Sequence, residues 1–299
     1  MKPGATRYGV VVNPTSGKNS GKRIGEAAVT LLAASGAQIV DLSALNAAHA
    51  ADRVRAAVAA DEIDALVVVG GDGMVHLGVN LAAQTGMPLG IVAAGTGNDI
   101  ARELGLPVRD AAASIERILH GRTRPVDLVR SVDPDGAPRW FAGVLAAGFD
   151  AVVNERANGW RWPKGTARYN LAVLRELPVF RAIPYVLTLD GQRREVEAML
   201  VAVGNGPAYG GGMQVVPGAR FDDGLLDVLV LHRLPMIEFL RVFPRVFTGR
   251  HVDHPAVEIL QGVSVTIEAK GIVAYADGER FTPLPCTLEV VPGALTVFA

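Results

Sequence analysis

Short apolar runs alternate with amphipathic stretches through the first part of the chain. Tyr8–Asn13 reads as a buried strand, followed by the polar loop Pro14–Lys22 and an Ala/Leu-rich helix to about Ser35. Gln38–Leu42 predicts a second strand, and Ala47–Ala60 a helix with Val54 and Val58 on its apolar side. A third strand, Leu66–Val69, ends directly on Gly70-Gly71-Asp72-Gly73, and a fourth, Leu89–Val92, leads to Gly95-Thr96-Gly97-Asn98-Asp99. Strands alternating with helices predict a parallel, helix-covered sheet. Each Gly-rich loop follows a strand, so the loops should gather at the carboxyl ends, where open α/β sheets bind ligands.

The texture changes near Pro125. From there β-like runs (Val126–Val132, Trp140–Gly148, Tyr185–Leu189, Glu197–Val203, Leu225–His232, Val263–Ala269, Leu288–Val291) are separated by turn signals such as Asp190-Gly191. That pattern predicts antiparallel β structure, interrupted by helices over about Thr166–Leu177 and Pro235–Phe247. The expected division is an α/β domain over residues 1–128 and a β-rich domain over 129–289, with residues 290–299 packing back on the first. A length of 299 residues agrees with two domains.

Composition narrows the function classes. Twenty-nine basic against thirty acidic side chains leave a net charge of −1, which argues against a nucleic-acid partner bound by broad phosphate neutralisation. The single cysteine, Cys286, excludes an internal disulfide framework and fits a reducing compartment. Met1–Arg7 lacks the apolar core of a secretion signal, and the apolar runs fall well short of the ~20 residues that span a bilayer. The expected location is the cytoplasm, with peripheral contact at the inner face of the membrane.

Gly70-Gly71-Asp72-Gly73 can turn several backbone N–H groups towards a phosphate, and the helix after it adds a favourable dipole. Alone it reads equally well as a tight turn with an Asp cap. Gly17-Lys18-Asn19-Ser20-Gly21-Lys22-Arg23 is not a Walker A loop, since its spacing is wrong and no Ser or Thr follows the lysine. The loops are more telling together. Asn13-Pro14-Thr15-Ser16-Gly17-Lys18, Gly70–Gly73 and Gly95–Asp99 each follow a strand. Further along stand Gly204-Asn205-Gly206, Gly210-Gly211-Gly212, Asp222-Asp223-Gly224-Leu225-Leu226-Asp227 and Asp277-Gly278-Glu279.

This ordered set resembles the diacylglycerol kinase catalytic-domain family, which includes bacterial soluble lipid kinases and is related to sphingosine and ceramide kinases and to NAD kinases. The resemblance implies an NAD-kinase-like three-layer α/β domain, a mainly antiparallel β-sandwich, and a nucleotide in the cleft between them. It implies an ATP- and Mg2+-dependent kinase of a lipid hydroxyl, diacylglycerol first among the candidates. The ATP site would take Asn13, Pro14, Thr15, Ser16, Gly17, Lys18, Ser43, Gly70, Gly71, Asp72, Gly73, Met74, His76, Thr96, Asn98 and Arg102. Asp72, Asp99 and Asp127 would form a carboxylate network around the catalytic magnesium, tethered by Lys18 and Arg102. Asp223, with the carbonyls of Arg220 and Leu225, would hold a second, structural magnesium; a plain Asp-Gly hairpin turn is the competing reading. Asp277 or Glu279 would accept the substrate's proton, and the sequence does not choose between them.

The chain departs from the family pattern after Gly73, where Met74, His76 and Leu77 replace the usual Thr, Asn and Glu. Loss of a hydroxyl and a carboxylate predicts a weakened nucleotide site. Two alternatives therefore stand beside the lipid kinase: a kinase of a soluble acceptor, and a weakly active nucleotide- or lipid-binding protein. Trp160-Arg161-Trp162-Pro163-Lys164 with Arg168-Tyr169 mixes aromatic and basic residues suited to a transient membrane contact; partly buried tryptophans beside solvated charges explain it equally well. A homodimer is compatible with the sequence.

Overall fold

The computed structural model describes residues 6–132, 136–149, 151, 153, 175 and 181–299. The expected helix at Thr166–Leu177, apart from Arg175, and the Trp160–Tyr169 stretch lie outside the described residues.

Four parallel strands open the fold: β1 (Arg7–Val12), β2 (Gln38–Asp41), β3 (Ala65–Gly70) and β4 (Leu89–Ala93), in the spatial order β2-β1-β3-β4. Strand β3 is buried along its whole length, as a Val/Leu run covered on both faces must be. On one face, α1 (Ser16–Ala34) and α5 (Ala111–His120) bury Ile24, Ala28 and Leu32 with Ile115 and Ile118. On the other, α2 (Ala47–Ala59) and α3 (Asp72–Ala82) bury Val54, Val75 and Val79. A short α4 (Asp99–Glu103) follows β4 and its glycine loop.

The remaining half is a mainly antiparallel β-sandwich. Its spine is the long strand β9 (Gln192–Gly204), flanked by β7 (Val144–Gly148), β8 (Ile183–Leu189) and β12 (Leu226–His232). Phe141, Tyr185, Leu187, Val201, Ile267 and Phe281 pack together inside. A separate apolar cluster lies beneath α6 (Met236–Val242), which continues as a 3₁₀ turn through Thr248. No helix among the described residues is long and apolar enough to cross a membrane.

One pair of strands joins the halves. β5 (Thr123–Val132) runs antiparallel to β17 (Cys286–Phe298), from Thr287↔Val132 to Phe298↔Thr123. β17 also pairs with β14 (Ser264–Glu268) of the sandwich and, through Val297↔Leu89, with β4 of the parallel sheet. The expected division after residue 128 falls inside β5. The ladder breaks between Val291 and Leu295, and the buried Asp127 closes the break. Its Oδ1 accepts from Gly293 N at 2.7 Å and its Oδ2 from Gly224 N at 2.8 Å.

Asp127 is thus a clasp between β5, the bulge in β17 and the turn before β12. An asparagine would turn an N–H towards one of those two donors. Asp127→Asn is expected to lower unfolding stability by about 2 kcal/mol, the cost of a buried donor left without an acceptor. Urea denaturation measures this, and an unchanged midpoint would contradict the clasp.

Candidate active site

The three glycine-containing loops meet at the carboxyl ends of β1, β3 and β4, and they meet because side chains are absent. A Cβ on Gly95 would stand 2.4 Å from the Cα of Gly71, and one on Gly97 would stand 2.6 Å from Oδ2 of Asp72. Neither approach tolerates any other residue. Gly17, Lys18 and Asn19 all take left-handed backbone angles, and the turn brings Gly17 against the carbonyl of Ala94. Ser16 Oγ lies beside Gly70.

Asp72 opens α3 and receives Asn98 N at 2.7 Å and Ile100 N at 3.4 Å. Burial, and then the charge of Asp99, push its carboxyl above the ordinary range despite these donors. Asp99 is itself buried, with Oδ1 2.9 Å from Arg102 and Oδ2 accepting from Gly211 N at 2.5 Å. Arg102 also donates to the carbonyl of Gly97. Two carboxylates therefore face each other across Gly97 with one guanidinium behind them. Around them opens a polar cleft of about 330 Å³, lined by Asp72, Thr96, Gly97, Asp99, Tyr209 and Asp277.

Asp277 comes from the sandwich, in the turn between β15 (Val273–Ala276) and β16 (Glu279–Pro283). Its side chain is 1% exposed. Oδ1 accepts from Gly143 N at 2.9 Å and Val144 N at 3.2 Å, and Oδ2 from Ala142 N at 3.1 Å, with His76 Nδ1 3.4 Å from the same oxygen. A carboxylate offers about four lone-pair positions; three backbone N–H groups fill three of them, and His76 stands beside the fourth. Glu279 is exposed, and its Oε1 lies over Gly73 in the first turn of α3. The two acids of Asp-Gly-Glu are therefore physically unlike: one is buried and held by backbone donors, the other open beside the glycine loop.

Several expected residues stand elsewhere. Asp127 does not join Asp72 and Asp99; it holds Gly224 and Gly293. Lys18 is exposed and touches no carboxylate among the described residues, because the left-handed turn carries it outward; Arg102 is the cation at the acidic pair. Met74 is buried in the core against Gly70, and Leu77 packs on the same cluster. Asn98 is 1% exposed and stitches Gly95, accepting from its N–H at 2.8 Å and donating to its carbonyl at 2.9 Å. Asn13 caps its own loop through Thr15. Ser43 accepts from Val12 N at 3.0 Å, beside a separate groove that Pro14 also lines. Asp223 Oδ1 accepts from Leu225 N at 3.0 Å, and Arg220 pairs with Asp222, so that turn is closed by protein donors.

Two residues that the sequence did not place in the site support it. Arg109, in a left-handed conformation, donates to the carbonyl of Gly95 at 3.0 and 3.1 Å. Buried Asn205 donates to the carbonyls of Asp127 and Ala142, fixing the segment whose N–H groups hold Asp277. The glycine of Asn205-Gly206 was legible as a motif; the role of Arg109 carried no sequence signal.

Comparison with known proteins agrees with this architecture. The "Diacylglycerol kinase catalytic domain" family matches residues 7–131, and the "YegS C-terminal NAD kinase beta sandwich-like domain" family matches residues 143–299. A Mycobacterium tuberculosis diacylglycerol kinase is 40% identical, covering 96% of this chain and 93% of its own. A Bacillus subtilis diacylglycerol kinase is 27% identical, covering 93% and 91%. A crystal structure of a Bacillus anthracis diacylglycerol kinase superposes with a TM-score of 0.76 at 26% identity, covering 100% of this chain and 98% of that one. An Archaeoglobus fulgidus NAD kinase shares the fold at a TM-score of 0.55 and 13% identity, covering 98% and 94%. With both halves matched and a relative this similar along almost the whole length, the chain belongs to the diacylglycerol kinase catalytic-domain family of phosphotransferases.

Proposed function

We propose that the chain transfers the γ-phosphoryl group of ATP to the free hydroxyl of diacylglycerol, giving phosphatidic acid. The observation that carries this reading is the cleft itself: Asp72, Thr96, Gly97 and Asp99 from the parallel-sheet loops face Tyr209, Asp277 and Gly278 from the other half across one space, and the exposed Glu279 lies beside it over Gly73. Phosphoryl transfer asks a protein chiefly for positioning and charge stabilisation, and the residues present supply both.

The N–H groups of Gly71–Gly73 and of Thr96 and Gly97, with the amino end of α3, suit the phosphates of a nucleotide. Asp72 and Asp99 fit a magnesium ion: both are hard oxygen donors, and the penalty that each charge imposes on the other is what a divalent cation relieves. Bound there, the ion would neutralise charge on the transferred phosphoryl group. Arg102 holds Asp99 in place. Because Asp277 is buried and held by three backbone donors while Glu279 is exposed, Glu279 is the proton acceptor for the lipid hydroxyl, and Asp277 positions the turn that carries it. Met74 and Leu77 face the core, so their departure from the family pattern leaves the loop glycines and Asp72 unaltered, and the enzyme is active. For the turn at Arg220, Asp223 and Leu225, the protein hydrogen bonds support the plain turn over a second magnesium.

Two outcomes test these roles. Asp72 has a raised carboxyl pKa in the folded protein, so its contribution to stability is complete at acidic pH and is lost as pH climbs through that raised value. At neutral pH its charge is a liability. Asp72→Asn can keep its amide oxygen on Asn98 N and give up only the long 3.4 Å contact to Ile100 N, so it should melt at a higher temperature than the wild type without magnesium, gain nothing from Mg-ATP, and lose turnover by roughly 10²–10³-fold. A lower melting temperature, or retained turnover, contradicts the assignment.

Glu279→Gln should keep the wild-type melting temperature and Mg-ATP affinity while turnover falls roughly 10²–10⁴-fold. Asp277→Asn should instead lower stability by about 1–3 kcal/mol, since one of three buried donors loses its acceptor. Thermal melts with steady-state kinetics separate the two. Near-wild-type turnover in Glu279→Gln would remove it as the base.

A further inference from the structure

The outer face of α6 and its 3₁₀ continuation is apolar and uncovered. Ile237 is 64% exposed, Leu240 51%, Phe243 41% and Phe247 51%. Contiguous exposed apolar side chains of this kind mark an interaction surface. The same segment turns Phe239, Val242 and Val246 inward, where they line an apolar cavity of about 80 Å³. Phe243 both lines this cavity and reaches the surface.

A ladder of rings connects the outside to the inside. Phe247 meets Phe243 at 6.5 Å between centroids, Phe243 stacks on Phe239 at 5.8 Å, and Phe239 meets Phe149 at 5.5 Å. At the inner end Tyr209 lines both the apolar cavity and the polar cleft of Asp72 and Asp277. The charges around this face have one dominant sign. Arg233, Arg241, Arg245 and Arg250 are exposed and have no acidic partner among the described residues. The acidic residues in the same stretch are Glu238, held by His254 at 3.0 Å, and Asp253.

We propose that this face docks the protein on an anionic phospholipid bilayer, with Ile237, Leu240, Phe243 and Phe247 entering the headgroup–acyl boundary and the four arginines meeting lipid phosphates. An apolar face bordered by arginines is the chemistry of interfacial binding. Docking in this way sets the mouth of the apolar cavity at Phe243 against the acyl chains, and the cavity leads towards the cleft. The inference rests on the lipid acceptor proposed above.

The test is sedimentation of the full chain with vesicles of phosphatidylcholine, with and without phosphatidylglycerol, alongside two double variants. Ile237→Ser with Phe247→Ser removes apolar side chains that do not line the cavity; Arg241→Glu with Arg245→Glu reverses charge. The wild type should prefer the anionic vesicles, and each double variant should lose roughly tenfold or more in binding. Both should keep the wild-type melting temperature and full turnover on a short-chain diacylglycerol dispersed as monomers. Turnover on long-chain diacylglycerol in anionic vesicles should fall with binding. Unchanged vesicle binding in both variants overturns the proposal. So does a wild-type dimer that the serine variant converts to monomer, which would assign the face to a second copy of the chain. If vesicle binding follows the face but no diacylglycerol is phosphorylated, the docking stands and the lipid kinase reading fails.

Discussion

The ladder between β5 and β17 fixes everything else about this molecule. β17 pairs with β4 of the parallel sheet at one end and with β14 of the sandwich along the other, so the two halves share hydrogen-bonded backbone rather than a linker. A shared ladder sets their relative position to within a residue of register. That rigidity lets a turn from the sandwich, Asp277-Gly278-Glu279, meet a helix start from the parallel sheet. Asp127 sits where the ladder breaks and binds the bulge and the neighbouring turn with one carboxylate.

Within that frame the cleft is built from electrostatic tension and its relief. Asp72 is half-buried and Asp99 buried, and burial together with the charge of Asp99 pushes the Asp72 carboxyl above its ordinary range, while Arg102 pairs with Asp99. Asp277 shows the opposite arrangement, with three backbone N–H groups directed at its oxygens. A carboxyl raised by its charged neighbour, one held by backbone donors and one open to solvent show three different environments for the same functional group. Their backbone surroundings, not their side chains, assign the roles.

Much of this was legible before any coordinates. Buried strands ending on Gly-Gly-Asp-Gly and Gly-Thr-Gly-Asn-Asp announce loops at the carboxyl edge of a parallel sheet, and the period-two runs after Pro125 announce the sandwich. What the chain does not reveal is which polar residue faces which neighbour. Asp127 by its position in the resemblance, and Asn98 by its place in a motif, look like ligand-binding residues, yet Asp127 holds the N–H groups of two distant turns and Asn98 holds Gly95 of its own loop. Lys18 is carried outward by three successive left-handed residues, a conformation that composition does not announce. Met74 stands where a phosphate-binding hydroxyl was expected, but the helix turns it to the core. Arg109 reaches Gly95 from a segment with no motif at all. The contacts of Asp127 and Arg109 are distant in sequence, and the others depend on backbone angles and helix facing that residue type alone does not set.

The claim on which all of this depends is that the cleft moves a phosphoryl group from nucleotide to lipid. Mass spectrometry of the products formed from diacylglycerol, magnesium and ATP carrying heavy oxygen at the non-bridging γ positions tests it most directly. The account predicts phosphatidic acid holding all of the γ label, with the bridging oxygen supplied unlabelled by the lipid. Label appearing only in inorganic phosphate, or no phosphorylated lipid at all, would contradict it.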